Sequence, residues 1–201
     1  RLAAKVWNLY FLVPTGRGQF VSDMTPAQYD EVLAALYRIQ RKYDRRMLVN
    51  AKCAPHYIKT VLENGLPPTR TYSGGAGGCP AGTHYMGIRP NGDVTPCPYL
   101  PVFAGTLRNS SLADLWTSSA LFTDIRRRTA LGGRCGECEM NGHCGGCRAR
   151  AYGMTGDLMA EDPLCTHIPG KFAGSPLLAI RDRASSAGAL GSPAIEYGPE
   201  S

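Results

Sequence analysis

The sequence predicts an α/β fold followed by a loop-rich α+β domain, and three observations support this. Residues 1–66 alternate short apolar stretches with amphipathic ones in the order strand, helix, strand, helix, which is the pattern of a parallel sheet. Residues 67–78 are rich in glycine and proline, which predicts a linker. Seven cysteines then follow within residues 79–170, and this crowding predicts a domain organised by metal.

Local signals define the two strand–helix units. Residues 6–13 are mostly apolar and too few for a typical helix, so they predict a buried strand. Residues 25–28 combine a threonine cap, a first-turn proline and a glutamine, which predicts the start of a helix. Residues 47–52 predict a second strand and residues 55–65 a second helix. Two units cannot bury both faces of a parallel sheet, so we expect further strands upstream.

The cysteine-rich part has weaker secondary-structure signals. A short hairpin is expected near residues 88–94, together with one or two helices. Ser111 and Asp114 resemble a capping box, and apolar residues at helical spacing continue as far as Ile125. Residues 171–201 drift into alanine, glycine, serine and proline without a period, so we expect a disordered tail.

Composition excludes several functional classes. No stretch approaches the roughly 20 apolar residues of a membrane helix, and residue 1 is not followed by a signal-peptide pattern, so no membrane partner and a cytoplasmic location are expected. The net charge is +6, but the basic residues are scattered apart from the run at residues 126–128, which argues against a nucleic-acid partner. Clustered thiols in a reducing compartment usually hold metal.

The seven cysteines contain two C-x2-C pairs separated by only five residues. They are Cys79, Cys97, Cys135, Cys138, Cys144, Cys147 and Cys165. Glycines around the pairs allow the backbone to wrap closely around a metal centre. Two C-x2-C pairs also fit a tetrahedral zinc site, but the short separation and the three additional cysteines favour iron-sulfur ligation.

Cys79, the Gly92-x4-Cys97 step and the C-x2-C-x5-C-x2-C run that ends at Cys147 resemble a SPASM domain, the auxiliary cluster domain of many radical SAM enzymes. Residues 8–18 and 52–57 resemble the last two strands of the radical SAM partial barrel, particularly in relatives of the haem-biosynthesis enzymes. The resemblance implies a C-terminal fragment of a partial (β/α) barrel followed by a SPASM domain. The family's C-x3-C-x2-C motif, which binds the cluster that cleaves S-adenosylmethionine, is absent from this sequence.

The resemblance also implies ligands for two auxiliary 4Fe-4S clusters. One cluster takes Cys135, Cys138, Cys144 and Cys165. The other takes Cys79, Cys97 and Cys147, with an open iron, a non-cysteine ligand such as His84, or a smaller core. Such clusters bind substrate, accept an electron or pass electrons onward in the radical modification of a peptide or a tetrapyrrole-like small molecule.

The full-length enzyme implied by this resemblance has further cofactors and partners. It uses S-adenosylmethionine, a third 4Fe-4S cluster and an electron donor such as ferredoxin or flavodoxin. Two other classes stay open from the residues alone: a zinc-stabilised interaction domain and a ferredoxin-like electron carrier.

Three residues outside the cysteine-rich domain are candidates for contact with a cofactor or substrate. They are Arg17 in a glycine-rich loop, Cys53 after the second strand and His56 at the start of the second helix. The alternatives are a surface arginine, a small buried cysteine and a structural histidine. Three further arginines are candidates to offset cluster charge, with plain solvation as the alternative: Arg134, Arg148 and Arg150.

Overall fold

The computed structural model describes residues 4–20, 24–65, 78–176 and 178. The predicted linker therefore lies outside the described residues except for Gly78, and so does most of the predicted tail. No helix in the described ranges has the length and apolar character needed to cross a bilayer.

Strands β1 (Val6–Tyr10) and β2 (Leu48–Lys52) form a two-stranded parallel sheet. The register pairs Trp7 with Val49 and Asn8 with Asn50. Strand β1 is three residues shorter than predicted because its partner ends where Cys53 adopts a left-handed φ of 59°. The predicted parallel pairing is confirmed.

Helices α1 (Pro26–Lys42) and α2 (Tyr57–Glu63) complete the strand–helix pattern. The Thr25 hydroxyl accepts the N–H of Gln28, and the Gln28 side chain accepts the N–H of Thr25, so the predicted capping box is present. The buried face of α1 packs around Leu33, which is fully buried and contributes about 1.5–3 kcal/mol by leaving water. The cluster that includes Leu33 also contains Leu164 from the cysteine-rich part.

The cysteine-rich part contains a three-stranded antiparallel sheet. Strands β3 (Gly87–Ile88) and β4 (Asp93–Thr95) form the predicted hairpin, and β5 (Gly105–Thr106) pairs with β4. The third strand was not predicted, because two residues carry no periodic signal.

The helix predicted from Ser111 to Ile125 is two helices, α3 (Leu112–Ser118) and α4 (Ala120–Arg126). The chain breaks at Ser119, which is extended with ψ 130°, in a run of hydroxyl residues that compete for backbone hydrogen bonds. Short helices α5 (Gly133–Glu137) and α6 (Arg148–Thr155) follow. Residues 79–170 thus contain four α-helices, more than the one or two expected.

Candidate metal centre

The seven cysteines fall into two groups around two cavities. Four of them line a small cavity and are called the Cys135 group: Cys135, Cys138, Cys144 and Cys165. The other three line a cavity of about 570 Å³ and are called the Cys79 group: Cys79, Cys97 and Cys147. All eight cysteines of the chain are free of disulfides. Each cavity is thus lined by the members of one ligand set that the sequence resemblance implied, and their role as cluster ligands stays a prediction.

Burial makes several of these cysteine thiols difficult to ionise without a metal, because it raises their pKa. It raises the pKa of Cys138 and of Cys165 to about 11, and the pKa of Cys144 well above the usual range. Cys165 and Cys135 raise the pKa of Cys144 further, whereas Cys79 has this effect on Cys147. In these examples, the thiols that raise the pKa of a cysteine belong to the same group as that cysteine. Because the thiolate is the metal ligand, metal binding has to displace these protons.

Backbone amides are directed at sulfur in the Cys135 group. The N–H of Met140 donates to Cys138 Sγ at 3.3 Å, and the N–H of Gly146 donates to Cys144 Sγ at 3.4 Å. The N–H of Asp162 donates to Cys135 Sγ at 3.4 Å. Hydrogen bonds of this kind stabilise ligating thiolates and set the reduction potential of iron-sulfur clusters.

Two glycines form a cradle beside the Cys135 group. Gly145 and Gly146 have φ of 65° and 62°. A Cβ on Gly145 would lie 1.4 Å from Arg128 Nη1, and one on Gly146 would lie 3.2 Å from Cys135 Sγ. These positions require glycine for both conformation and space, as expected of a loop that wraps a metal centre closely.

Arg128 connects the loops of the two groups. Its Nη1 donates to the carbonyl oxygen of Cys144 at 3.0 Å, and its Nη2 donates to that of Cys79 at 2.9 Å. In the sequence Arg128 is part of a short basic run, and no local signal indicates this role. The nearest hint is the glycine at position 145, because a Cβ there would lie 1.4 Å from Arg128 Nη1.

Arg150 and Asp162 lie at the junction between the cysteine groups and the strand–helix units. Arg150 is fully buried and its Nη1 lies 3.1 Å from Oδ2 of Asp162. Its Nη2 donates to the carbonyl oxygens of Leu12 at 3.3 Å and Cys53 at 2.8 Å, and to the hydroxyl of Tyr29. The alternative that the Arg150 side chain is simply solvated is therefore wrong. No motif or spacing in the sequence indicated the role of Asp162.

The other two candidate arginines also have specific partners. Arg148 is buried, with Nη1 donating to the carbonyl oxygens of Leu158 and Ala160 and Nη2 lying 4.0 Å from Cys135 Sγ. Arg134 is partly exposed, lies 2.7 Å from Glu161 Oε1, and donates to the carbonyl oxygen of Cys165 at 2.8 Å. Arg148 thus brings positive charge to the Cys135 group, which suits an anionic cluster, whereas the charge of Arg134 is offset by Glu161.

Glu139 binds the chain segment that follows Cys165 to the loop that contains Cys138. Its carboxylate accepts the backbone N–H groups of Gly170 and Phe172, each at 2.7 Å, and lies 3.0 Å from His167 Nε2. Although burial opposes it, these hydrogen bonds lower the pKa of Glu139 to about 2. The first residues of the predicted tail are thus anchored beside the Cys135 group, where Phe172 also stacks on His167.

Distances between sulfur atoms show whether a zinc site is preformed. A tetrahedral zinc ion with Zn–S bonds of about 2.3 Å holds its sulfurs about 3.8 Å apart. Among the described residues, the group of three or more potential ligands within 4.8 Å is Cys138, Glu139 and His167, and it contains a single sulfur. In the described part of the chain, no three cysteine sulfurs lie within 4.8 Å of one another, so neither cysteine group forms a preformed tetrahedral zinc site.

Of the three candidates outside the cysteine-rich domain, two lie at these cavities. Cys53 lines the large cavity with the Cys79 group. His56 lines the small one, and burial lowers its pKa to about 4, so the ring is neutral at pH 7. Arg17 is exposed on the 3₁₀ helix Gly16–Phe20 and lines neither cavity. His84 is exposed, lines neither cavity, and pairs with the Thr83 hydroxyl at 2.9 Å.

Comparison with known proteins identifies the cysteine-rich part. Residues 79–148 match the SPASM family, described as an iron-sulfur cluster-binding domain. This confirms the domain that the cysteine spacing resembled.

Relatives match beyond that domain. The AdoMet-dependent heme synthase of Methanosarcina barkeri is 37% identical over 177 residues, covering 85% of this chain and 50% of the relative. The enzyme of the same name from Nitratidesulfovibrio vulgaris is 39% identical over 178 residues, covering 84% and 48%. A PqqA peptide cyclase from Xanthomonas axonopodis pv. citri is 33% identical over 93 residues, covering 44% and 25%. The chain spans about half the length of the heme synthases it matches.

Proposed function

Because the chain belongs to the radical SAM enzymes that carry a SPASM iron-sulfur domain, we propose that it binds two auxiliary 4Fe-4S clusters, one at the Cys135 group and one at the Cys79 group. The observation that carries this proposal is the separation of the seven cysteines around two cavities. Hydrogen bonds to sulfur, the glycine cradle and nearby arginines support the assignment of the Cys135 group.

When bound, such clusters supply one-electron transfer, or a Lewis-acidic iron where a ligand position is open. The residues of this chain hold the thiolates and exclude water. Cys144 and Cys147 are almost fully buried, and the backbone N–H of Cys147 donates to Asp162 at 2.8 Å, which fixes the loop between the groups. We assign the clusters to electron transfer or substrate binding in a radical modification.

The substrate class that we favour is a tetrapyrrole-like small molecule. The heme synthases match most of this chain, whereas the peptide cyclase matches 93 residues. The large cavity lies between the ends of the parallel strands and the Cys79 group, and its lining includes Lys52, Asn50 and Tyr99. An ammonium group beside aromatic surface suits a planar molecule that carries carboxylates. A peptide remains the second candidate.

The strand–helix units are proposed to be the last part of a partial radical SAM barrel. Their sheet leaves large apolar side chains exposed, including 60% of Tyr10 and 49% of Val6, and parallel sheets are normally covered on both faces. In the whole enzyme, S-adenosylmethionine and a third cluster would bind to other strands, and ferredoxin or flavodoxin would supply electrons. The proposal places the enzyme in the cytoplasm, where thiols stay reduced.

The two alternative classes have less support. A zinc-stabilised interaction domain has less support because, among the described residues, no three cysteine sulfurs lie within 4.8 Å of one another. A ferredoxin-like carrier leaves the strand–helix units and the large cavity without a role.

The test is a measurement of iron, acid-labile sulfide and zinc per chain after anaerobic purification and reconstitution. Two 4Fe-4S clusters give about eight iron and eight sulfide. Stoichiometric zinc without sulfide would overturn the proposal in favour of the structural metal domain.

A further inference from the structure

We propose that Cys53 is the fourth cysteine ligand of the metal centre at the Cys79 group. This inference rests on the proposed function, since it requires a cluster there. Cys53 lies at the end of a parallel strand, whereas the other three ligands of this centre come from the SPASM domain. On binding iron, the Cys53 thiol would release its proton to solvent.

The first support is position. Cys53 directly follows β2 and lines the same cavity as Cys79, Cys97 and Cys147. It also packs against the apolar cluster that contains these three cysteines. The Cys79 group has three thiols, and Cys53 is the one cysteine of the chain outside both groups. With it, each cavity is lined by four cysteines, the number that a 4Fe-4S cluster takes.

The second support is the charge around the thiol. Arg150 Nη2 donates to the carbonyl oxygen of Cys53 at 2.8 Å, and Lys52 lines the same cavity as Cys53. The two cations are therefore placed to stabilise a Cys53 thiolate bound to metal.

The third support is the backbone. Cys53 has a φ of 59°, and among the described residues Arg45 is the other non-glycine residue with positive φ. This conformation is sterically disfavoured for a side chain with a Cβ. It is held by the hydrogen bond from Arg150 Nη2 to the Cys53 carbonyl oxygen at 2.8 Å. Disfavoured conformations that the surroundings enforce are concentrated at functional sites.

The alternative ligand implied by sequence resemblance, His84, has none of this support. It is exposed, does not line the cavity, and its Nδ1 lies 2.9 Å from the Thr83 hydroxyl. His84 therefore provides a matched control, because its removal should leave the cluster unchanged.

The test compares the reconstituted chain with its Cys53→Ala and His84→Ala variants by iron content and by electron paramagnetic resonance of the reduced clusters, with and without cyanide. In the unchanged chain and in H84A, cyanide should leave the spectrum unaltered, since every iron has a thiolate. In C53A, one cluster should respond to cyanide or lose about one of its four iron atoms. A cyanide response in the unchanged chain that equals that of C53A would overturn the inference.

Cys53→Ser provides a second test that does not depend on the folding of the alanine variant, because serine preserves the size of the side chain. A serine oxygen in place of sulfur should shift the spectrum and reduction potential of one cluster and leave the other unchanged. Identical spectra and potentials for C53S and the unchanged chain would contradict the inference.

The outcomes also separate this inference from the proposed function. If the unchanged chain binds neither iron nor sulfide, the proposed function fails. If it binds both clusters and the Cys53 variants are indistinguishable from it, only the assignment of Cys53 fails.

Discussion

The guanidinium of Arg150 and the carboxylate of Asp162 form an ion pair with an Nη1–Oδ2 distance of 3.1 Å, and neither side chain is exposed to solvent. The same carboxylate accepts the N–H of Cys147 at 2.8 Å. Asp162 lines the cavity of the Cys135 group, whereas Cys147 belongs to the Cys79 group. The pair therefore connects both cysteine groups to the strand–helix units.

Asp162→Asn should destabilise the reconstituted protein strongly. The substitution keeps the shape of the side chain but leaves the Arg150 charge buried without its partner, which costs about 3–5 kcal/mol. The free energy of unfolding, measured anaerobically in urea, checks this. Glu161→Gln is the control, because Glu161 pairs with the partly exposed Arg134 and such pairs contribute about 1 kcal/mol or less. Equal losses in the two variants would contradict the role of the buried pair.

Gly146→Ala should destabilise the loop between Cys144 and Cys147. The residue has a φ of 62°, and a Cβ there would lie 2.6 Å from Arg148 Nη2 and 2.9 Å from Asp162 Cβ. The left-handed conformation and the overpacking together cost about 2–4 kcal/mol.

Gly142→Ala is the matched control in the neighbouring turn. A Cβ at this position meets nothing within 4 Å, so the free energy of unfolding should change by about 0.5 kcal/mol or less. Thermal unfolding of both reconstituted variants tests the pair, and a G146A variant as stable as G142A would show that the cradle is not required.

The strand–helix units could be predicted because their signals are local. Thr25 and Gln28 lie three residues apart, and the capping box that they predict is present. The break at Ser119 was missed because the apolar spacing continues across it, and the preference of a few hydroxyl residues decides the conformation there.

The division of the cysteines into two sets was implied by the resemblance to a SPASM domain, and as an assignment of cluster ligands it stays a prediction. The partners that surround them could not be predicted, since Arg128, Asp162 and Glu139 resemble surface residues in the sequence. Their roles depend on contacts between segments far apart along the chain, such as the one from Arg150 to Leu12. No periodicity or motif in the sequence predicts such a contact.

Lys59→Met should weaken the attachment of the Cys165 segment to the helices. Lys59 is buried, donates to the Thr166 hydroxyl, and pairs with Asp30 at 2.6 Å. Loss of this pair should cost about 1–3 kcal/mol, because the remaining polar groups are partly buried. Urea unfolding measures the loss.

Lys171→Met provides the comparison for Lys59. Lys171 pairs with Glu63 at 2.9 Å, but 54% of its side chain is exposed. Its removal should change the free energy of unfolding by about 0.5 kcal/mol or less. If K171M lost as much stability as K59M, burial would not be the deciding factor.

Cys138→Ala and Cys97→Ala should each disturb a different cluster. The two residues belong to separate groups, so each variant should lose iron and spectral intensity from one cluster and leave the other unchanged, with complementary spectra when the two are compared. Because metal binding contributes folding energy, both variants should also melt earlier. Loss of the same spectral component in both variants would contradict the two-group assignment.

The hydrogen bonds from Arg150 to the carbonyl oxygens of Leu12 and Cys53 link the cysteine-rich segment to the strand–helix units. Arg150 lies in the cysteine-rich segment, whereas these two acceptors lie in the strand–helix units. If the segment and these units were separated, a side chain that is now fully buried would have to be rehydrated and the loops after both parallel strands would lose a common anchor. We therefore expect the two segments to unfold in a single cooperative transition, so that the sequence boundary near residue 78 is not a boundary between independently folding units.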